Sequence, residues 1–142
     1  VASRDWHNAV GDNGGHFSLT PDYVDSWPAH CVAGTPGAEY HPAIDETLID
    51  VHVRKGQGIP AYSIFEGTTE SGETVTAVLD RLGVTDIDVA GIATDHCVLA
   101  SAMDAVGAGR RVRVLTDLIA GVGEDSSAAA LERMRAAGVA LV

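Results

Sequence analysis

The sequence predicts an α/β fold: three layers, with a mostly parallel sheet and helices on both faces. Two observations lead there. From Glu73 onward, segments with helical spacing of apolar residues alternate with short apolar runs, the pattern of a parallel sheet with crossover helices. The chemically loaded stretches Asp5-Trp6-His7, Arg54-Lys55-Gly56 and Thr94-Asp95-His96-Cys97 follow strand-like segments, and open α/β sheets bind ligands at the carboxyl ends of their strands.

Each element has its own warrant. Leu48 to Val53 reads as a strand. Glu73 to Arg81 places Val75, Val78, Leu79 and Leu82 at helical spacing and stops at Gly83. Ile87 to Ala93 is a buried strand, and Val98 to Val106 a helix closed by Gly107 and Gly109. Val112 to Leu115 is a strand. Ser126 to Ala137 is a helix with Leu131 and Met134 on one face, stopped by Gly138, and Val139 to Val142 is a last strand. Residues 8 to 42, rich in Gly, Pro, Asp and His, are too long for an ordinary connection and point to a functional loop.

The chain has 142 residues, enough for one domain with a real core. The formal net charge of -11 makes nucleic acid and anionic membranes poor partners, and no apolar run approaches a membrane span. With no export-like segment and only Cys31 and Cys97, a disulfide framework is not expected, and the chain reads as cytoplasmic with reduced thiols. Of nine basic residues only Lys55 is a lysine. It either survives by chance or stands where arginine cannot serve. The opening "VASRDWH" is abrupt and suggests a fragment.

Cys97 sits where a strand meets a helix. Unpaired N–H groups and the positive end of the helix dipole favour a thiolate there and can form an oxyanion hole. A small thiol packing the joint is the alternative. Asp5 and His7 share a strand face, and His16 and His30 follow in the long loop. One carboxylate with two or three imidazoles suits a divalent transition metal such as Zn, Fe or Mn; unlinked surface histidines are the alternative. His41 and His52 read as structural. His96 either orients a substrate or caps the turn.

"GIATDHCV", "KG" after an apolar strand, "DWH", "HFS" and "WPAHCVAGTPGAEYHP" together resemble the nicotinamidase/pyrazinamidase branch of the isochorismatase-like cysteine hydrolases, over essentially the whole chain. The resemblance implies a single isochorismatase-like domain over 1-142, truncated at its N-terminus so that the first strand is missing. It implies a metal-dependent amidohydrolase that converts nicotinamide to nicotinate and ammonia in NAD salvage, with pyrazinamide as a second substrate. By position, Cys97 resembles the nucleophile and Lys55 the catalytic lysine, the two facing each other across the pocket. Asp5, His7 and His30 resemble the metal ligands, with His16 an additional one in a loop longer than the family's. The amides of Ala93 and Cys97 resemble the oxyanion hole, after a cis peptide at Ile92–Ala93. Trp27, Tyr62 and His96 resemble substrate-pocket residues. The family's catalytic aspartate lies in an N-terminal segment that no stretch of this sequence matches, and Asp95 belongs to the turn motif. The chain is therefore expected to be poorly stable alone and to show at most a trace of activity. Two rival readings are a related amidase with another acyl group and an inactive metal-binding fragment. Oligomeric state is not readable.

Overall fold

The structure is a computed structural model that describes residues 1–8, 17–24, 26–58 and 60–142. It forms two compact units, Val1–Ala61 with Gly67–Glu73, and Tyr62–Glu66 with Thr74–Val142.

In the first unit, β1 (Ala2–Asp5) pairs in parallel with β2 (His52–Lys55), with Asp5 opposite Lys55. The alternation of β2 buries Val53 and Lys55. The guanidinium of Arg4 lies 4.8 Å from the Trp6 ring and 4.6 Å from Tyr40, and that of Arg54 lies 4.5 Å from Trp6. These cation–π stacks cover aromatic surface, and the Arg4 side chain is itself only 17% exposed. β2 starts later than the strand expected at Leu48 to Val53. The Asp45 side chain accepts the Thr47 N–H at 3.0 Å, capping a single 3-10 turn at Glu46–Leu48 and leaving Leu48 exposed. His52 meets the Tyr40 hydroxyl at 3.2 Å, and His41 accepts the Ala43 N–H at 3.2 Å; both contacts are local.

The second unit holds a three-stranded parallel sheet in the order β3 (Asp86–Ile92), β4 (Arg111–Ala120), β5 (Ala140–Leu141). Its helices are α1 (Val75–Arg81), α2 (Leu99–Gly107) and α3 (Glu124–Ala136). Thr74 caps α1 by accepting the Ala77 N–H. Leu99, Ala102 and Ala105 of α2 and Ala130 and Met134 of α3 pack on Val112 and Val114, with Ile87 and Val89 at the margin. Small residues let the helices approach the sheet. The side chains that alternate with these on the strands form rungs in which Arg111 grips Asp86 and Arg113 grips Asp88 through paired hydrogen bonds of 2.5–2.6 Å. The register slips between Val89 and Gly91, after which Gly91 and Ile92 pair with Ile119 and Ala120. That slip carries β4 well past Leu115, where apolar patterning alone ended it. Among the described residues no helix is long and apolar enough to cross a membrane.

Candidate active site

In the first unit the ligand atoms of Asp5, His7 and His30 all lie within 4.8 Å of one another. Asp5 ends β1, and His7 continues the same strand face. The His7 N–H and C=O then bond Cys31 and Ala33, at 3.0 and 2.8 Å, which brings the neighbouring His30 alongside. The His7 and His30 rings meet edge-on at 4.8 Å, and Phe17 packs 5.3 Å from each. His7 Nδ1 lies 3.1 Å from the Gly56 carbonyl, so it serves as donor, and the lone pair falls on Nε2. That Nε2 is buried with no hydrogen-bond partner among the described residues. His30 Nδ1 likewise donates to the Pro28 carbonyl at 2.7 Å, leaving its Nε2 for other use. An orphaned buried imidazole nitrogen beside a second imidazole and a carboxylate fits a divalent transition metal. Burial pulls the His7 pKa below its ordinary value, assisted by His30 and Lys55 and opposed by Asp5 and the Gly56 carbonyl. The neutral ring this favours is the form that ligates. Gly56 has φ +79°, and a Cβ there would fall 2.5 Å from the His7 ring.

Lys55, only 4% exposed, donates to Asp5 Oδ1 and, at 3.1 Å, to the Ala61 carbonyl. Its ammonium thus lies beside the carboxylate of the histidine group. Trp27 packs 6.3 Å from His30 and 5.6 Å from Tyr23. His16 lies outside the described residues.

In the second unit Cys97 belongs to a π-helical turn, Thr94–Val98, between β3 and α2. The Val98 and His96 N–H groups both reach the Ala93 carbonyl, at 3.0 and 3.1 Å. The helix expected from Val98 is therefore entered through a wider turn that begins at Thr94. The Ile92–Ala93 peptide is cis. Cys97 is half-buried and in no disulfide. His96 stacks on Tyr62 at 5.2 Å and 38°.

Residues 3–142 match the family model described as the isochorismatase domain. The chain belongs to the isochorismatase domain family. It is 53% identical, over 100% of its length and 75% of the relative's, to a nicotinamidase/pyrazinamidase of Mycobacterium tuberculosis. Among solved structures it is similar to an Acinetobacter baumanii nicotinamidase/pyrazinamidase, with TM-score 0.85 and 32% identity over 99% of this chain and 74% of that one. It also resembles a Pyrococcus horikoshii pyrazinamidase in complex with zinc, with TM-score 0.82 and 34% identity over 99% of this chain and 72% of that one.

In this isochorismatase-domain chain, three contributors escaped the reading of the sequence. Phe17 wedges against both histidine rings; it lay inside the quoted "HFS", but no signal told its role. Gly56 gives His7 its space. Asp95 is the third. Its side chain is 3% exposed and accepts the N–H of Val122 at 3.0 Å, the N–H of Gly123 at 3.1 Å and the Ser126 hydroxyl at 2.5 Å. Burial works against its charge, but Ser126 and the two amides prevail and hold its pKa down to about 2.

Proposed function

We propose that this chain hydrolyses nicotinamide to nicotinate and ammonia, and pyrazinamide to pyrazinoate, through Cys97. The donor set of Asp5, His7 and His30 carries the reading. A cysteine amidase has no need of a metal for acyl transfer itself, whereas a pyridine or pyrazine nitrogen has a lone pair for one. A bound divalent metal of the Zn, Fe or Mn type would supply a Lewis acid that orients the ring and draws electron density from it. Asp5, His7 and His30 would hold it, with His16 as a further ligand.

The remaining chemistry is assigned to the chain's own groups. Cys97 Sγ attacks the amide carbon, and the amides of Ala93 and Cys97 receive the oxyanion. The C–N bond then breaks, and the thiol proton leaves with the ammonia, a transfer that the family gives to the aspartate that no stretch of this sequence matches. Water hydrolyses the acyl thioester to the carboxylic acid and restores the thiol. Lys55 takes the catalytic lysine's part, a compact positive charge that a planar guanidinium does not replace. Trp27, and Tyr62 with His96, are assigned to substrate contact. The same reading puts the enzyme in the cytoplasm, in NAD salvage.

The test is turnover of nicotinamide, pyrazinamide and benzamide by the purified chain, read as ammonia and as the acid. Ammonia and nicotinate are expected in equal amounts, at no more than a trace rate because no stretch of this sequence matches the family's catalytic aspartate, with little product from benzamide and none with Cys97→Ala. Benzamide hydrolysed as fast as nicotinamide, or turnover that survives Cys97→Ala, would overturn the proposal.

A further inference from the structure

Asp95 stands two residues before Cys97 in the same turn, and its side chain accepts from Val122, Gly123 and Ser126, in the loop after β4 and the start of α3, with His96 Nε2 4.0 Å from Oδ2. Both oxygens are engaged: Oδ1 by the Val122 amide, Oδ2 by the Gly123 amide and the Ser126 hydroxyl. The loop comes this close because it carries glycine. A Cβ at Gly121 would fall 1.8 Å from Ser127 Oγ and 3.4 Å from Asp95 Oδ1, and one at Gly123 would fall 2.6 Å from Ser126 Oγ. The turn it grips is the irregular one. A single π turn is rare within helical structure and concentrates at functional sites.

We infer that Asp95 is a positioning residue for Cys97, clamping the Thr94–Val98 turn to the start of α3 and so fixing where the thiol and the neighbouring amides are presented. The inference rests on the reading of Cys97 as the nucleophile. A proton-transfer role does not suit this carboxylate, because its oxygens already accept three donors and it stays ionised at neutral pH. A charged acceptor buried against two amides acts as a fixed joint, and small displacements of a nucleophile are costly to rate.

Three variants test it. Asp95→Asn keeps the size but turns an N–H₂ toward groups that donate. Ser126→Ala removes one donor at the surface, and Ser126→Thr keeps the hydroxyl. Cys97 alkylation by iodoacetamide is followed against pH at the Cys97 peptide by mass spectrometry, beside kcat and KM for nicotinamide and thermal unfolding. Asp95→Asn is expected to change the Cys97 alkylation rate by about tenfold and to lower kcat by on the order of 100-fold, with KM moving far less. Ser126→Ala is expected to move the same quantities in the same direction by a smaller factor, and Ser126→Thr to restore most of the loss. Variants that lose only thermal stability, with alkylation profiles superimposed on the parent's, would overturn the inference. If Asp95→Asn does not fold, the Ser126 pair decides alone. A parent chain without nicotinamide turnover would sink the proposed function, while the alkylation rates would still judge the positioning role.

Discussion

The Asp5–His7–His30 group and the Cys97 turn are held by different physics. The first is a packing arrangement of rings, with His7, His30 and Phe17 4.8–5.3 Å apart between centroids, at the end of a two-stranded pairing. The second is a hydrogen-bonded joint on regular elements, where one buried carboxylate accepts three donors. Their polar accounts also differ. His7 Nε2 is buried without a partner among the described residues, whereas both oxygens of Asp95 are engaged. A buried unsatisfied group costs roughly 1–3 kcal/mol. The histidine group is therefore stabilised by whatever takes that lone pair, whereas the Asp95 carboxylate already has donors on both oxygens, although Ser127 Oγ beside it is buried without a partner among the described residues. Ligand addition should stabilise the first region and leave the second unchanged.

The largest expected effect belongs to the turn. Cys97→Ala should take whatever nicotinamide turnover the chain shows below detection, as loss of the proposed nucleophile would, with unfolding temperature and metal content close to the parent's. Parallel loss of metal in that variant would show that the two regions are not separable in this way.

The next effect belongs to the histidine group. His7→Ala should weaken zinc binding by more than about 100-fold, since even the outer partners of metal ligands are worth 10–100-fold. Zinc content after dialysis and calorimetric titration read this directly. The parent should gain thermal stability with added zinc, and His7→Ala should not. Retention of zinc by His7→Ala would remove the group from this role.

Gly56→Ala sharpens the comparison. The new Cβ would meet the His7 ring at 2.5 Å, and φ is +79°. A destabilisation of roughly 1–3 kcal/mol is expected in urea unfolding, together with weaker zinc binding. An unchanged zinc affinity would mean that the His7 ring does not depend on the Gly56 turn.

What could be read from the sequence follows the same division. Val75, Val78, Leu79 and the small residues of α2 announce their helices because apolar spacing reports burial directly; β3 and β5 show as apolar runs, but β3 is not the buried strand its run implies, since Asp86, Asp88 and Ile92, 76% exposed, lie on its open face and end. β2 starts later than its apolar pattern implies because Leu48 is apolar yet exposed, and the Asp45 cap that turns it outward is a local hydrogen bond that hydrophobicity ignores. The extension of β4 over Thr116 to Ala120 depends on a register slip opposite Val89–Gly91, a pairing property that one strand's pattern does not encode. Asp5, His7 and His30 were visible as residue types, and their convergence requires a loop whose spacing implies no geometry. The sequence places Asp95 in the turn motif, but its partners have no local signal. They lie 27–31 residues downstream, and nothing in "GVGEDS" states what it will donate to.

The smallest effect is an acid-dependent one, and it separates Asp95 from the exposed carboxylates. Its pKa of about 2 lies below the ordinary 3.8, so the ionised form is favoured by folding. The corresponding stabilisation is about 2 kcal/mol, present at neutral pH and lost as pH falls through 4 towards 2. Hydrogen bonds from Thr47, Arg111 and Arg113 also lower Asp45, Asp86 and Asp88, so acid should destabilise the chain through several groups. Those contributions are common to the parent and to Asp95→Asn and cancel in the difference between them. Urea unfolding of both proteins at pH 7 and pH 3 should therefore show the gap between them shrinking by about 1 kcal/mol, because roughly half of the linkage is gone by pH 3. A gap that stays constant across that range would mean that the charge of Asp95 contributes nothing to holding the turn, and that its shape and neutral hydrogen bonds suffice.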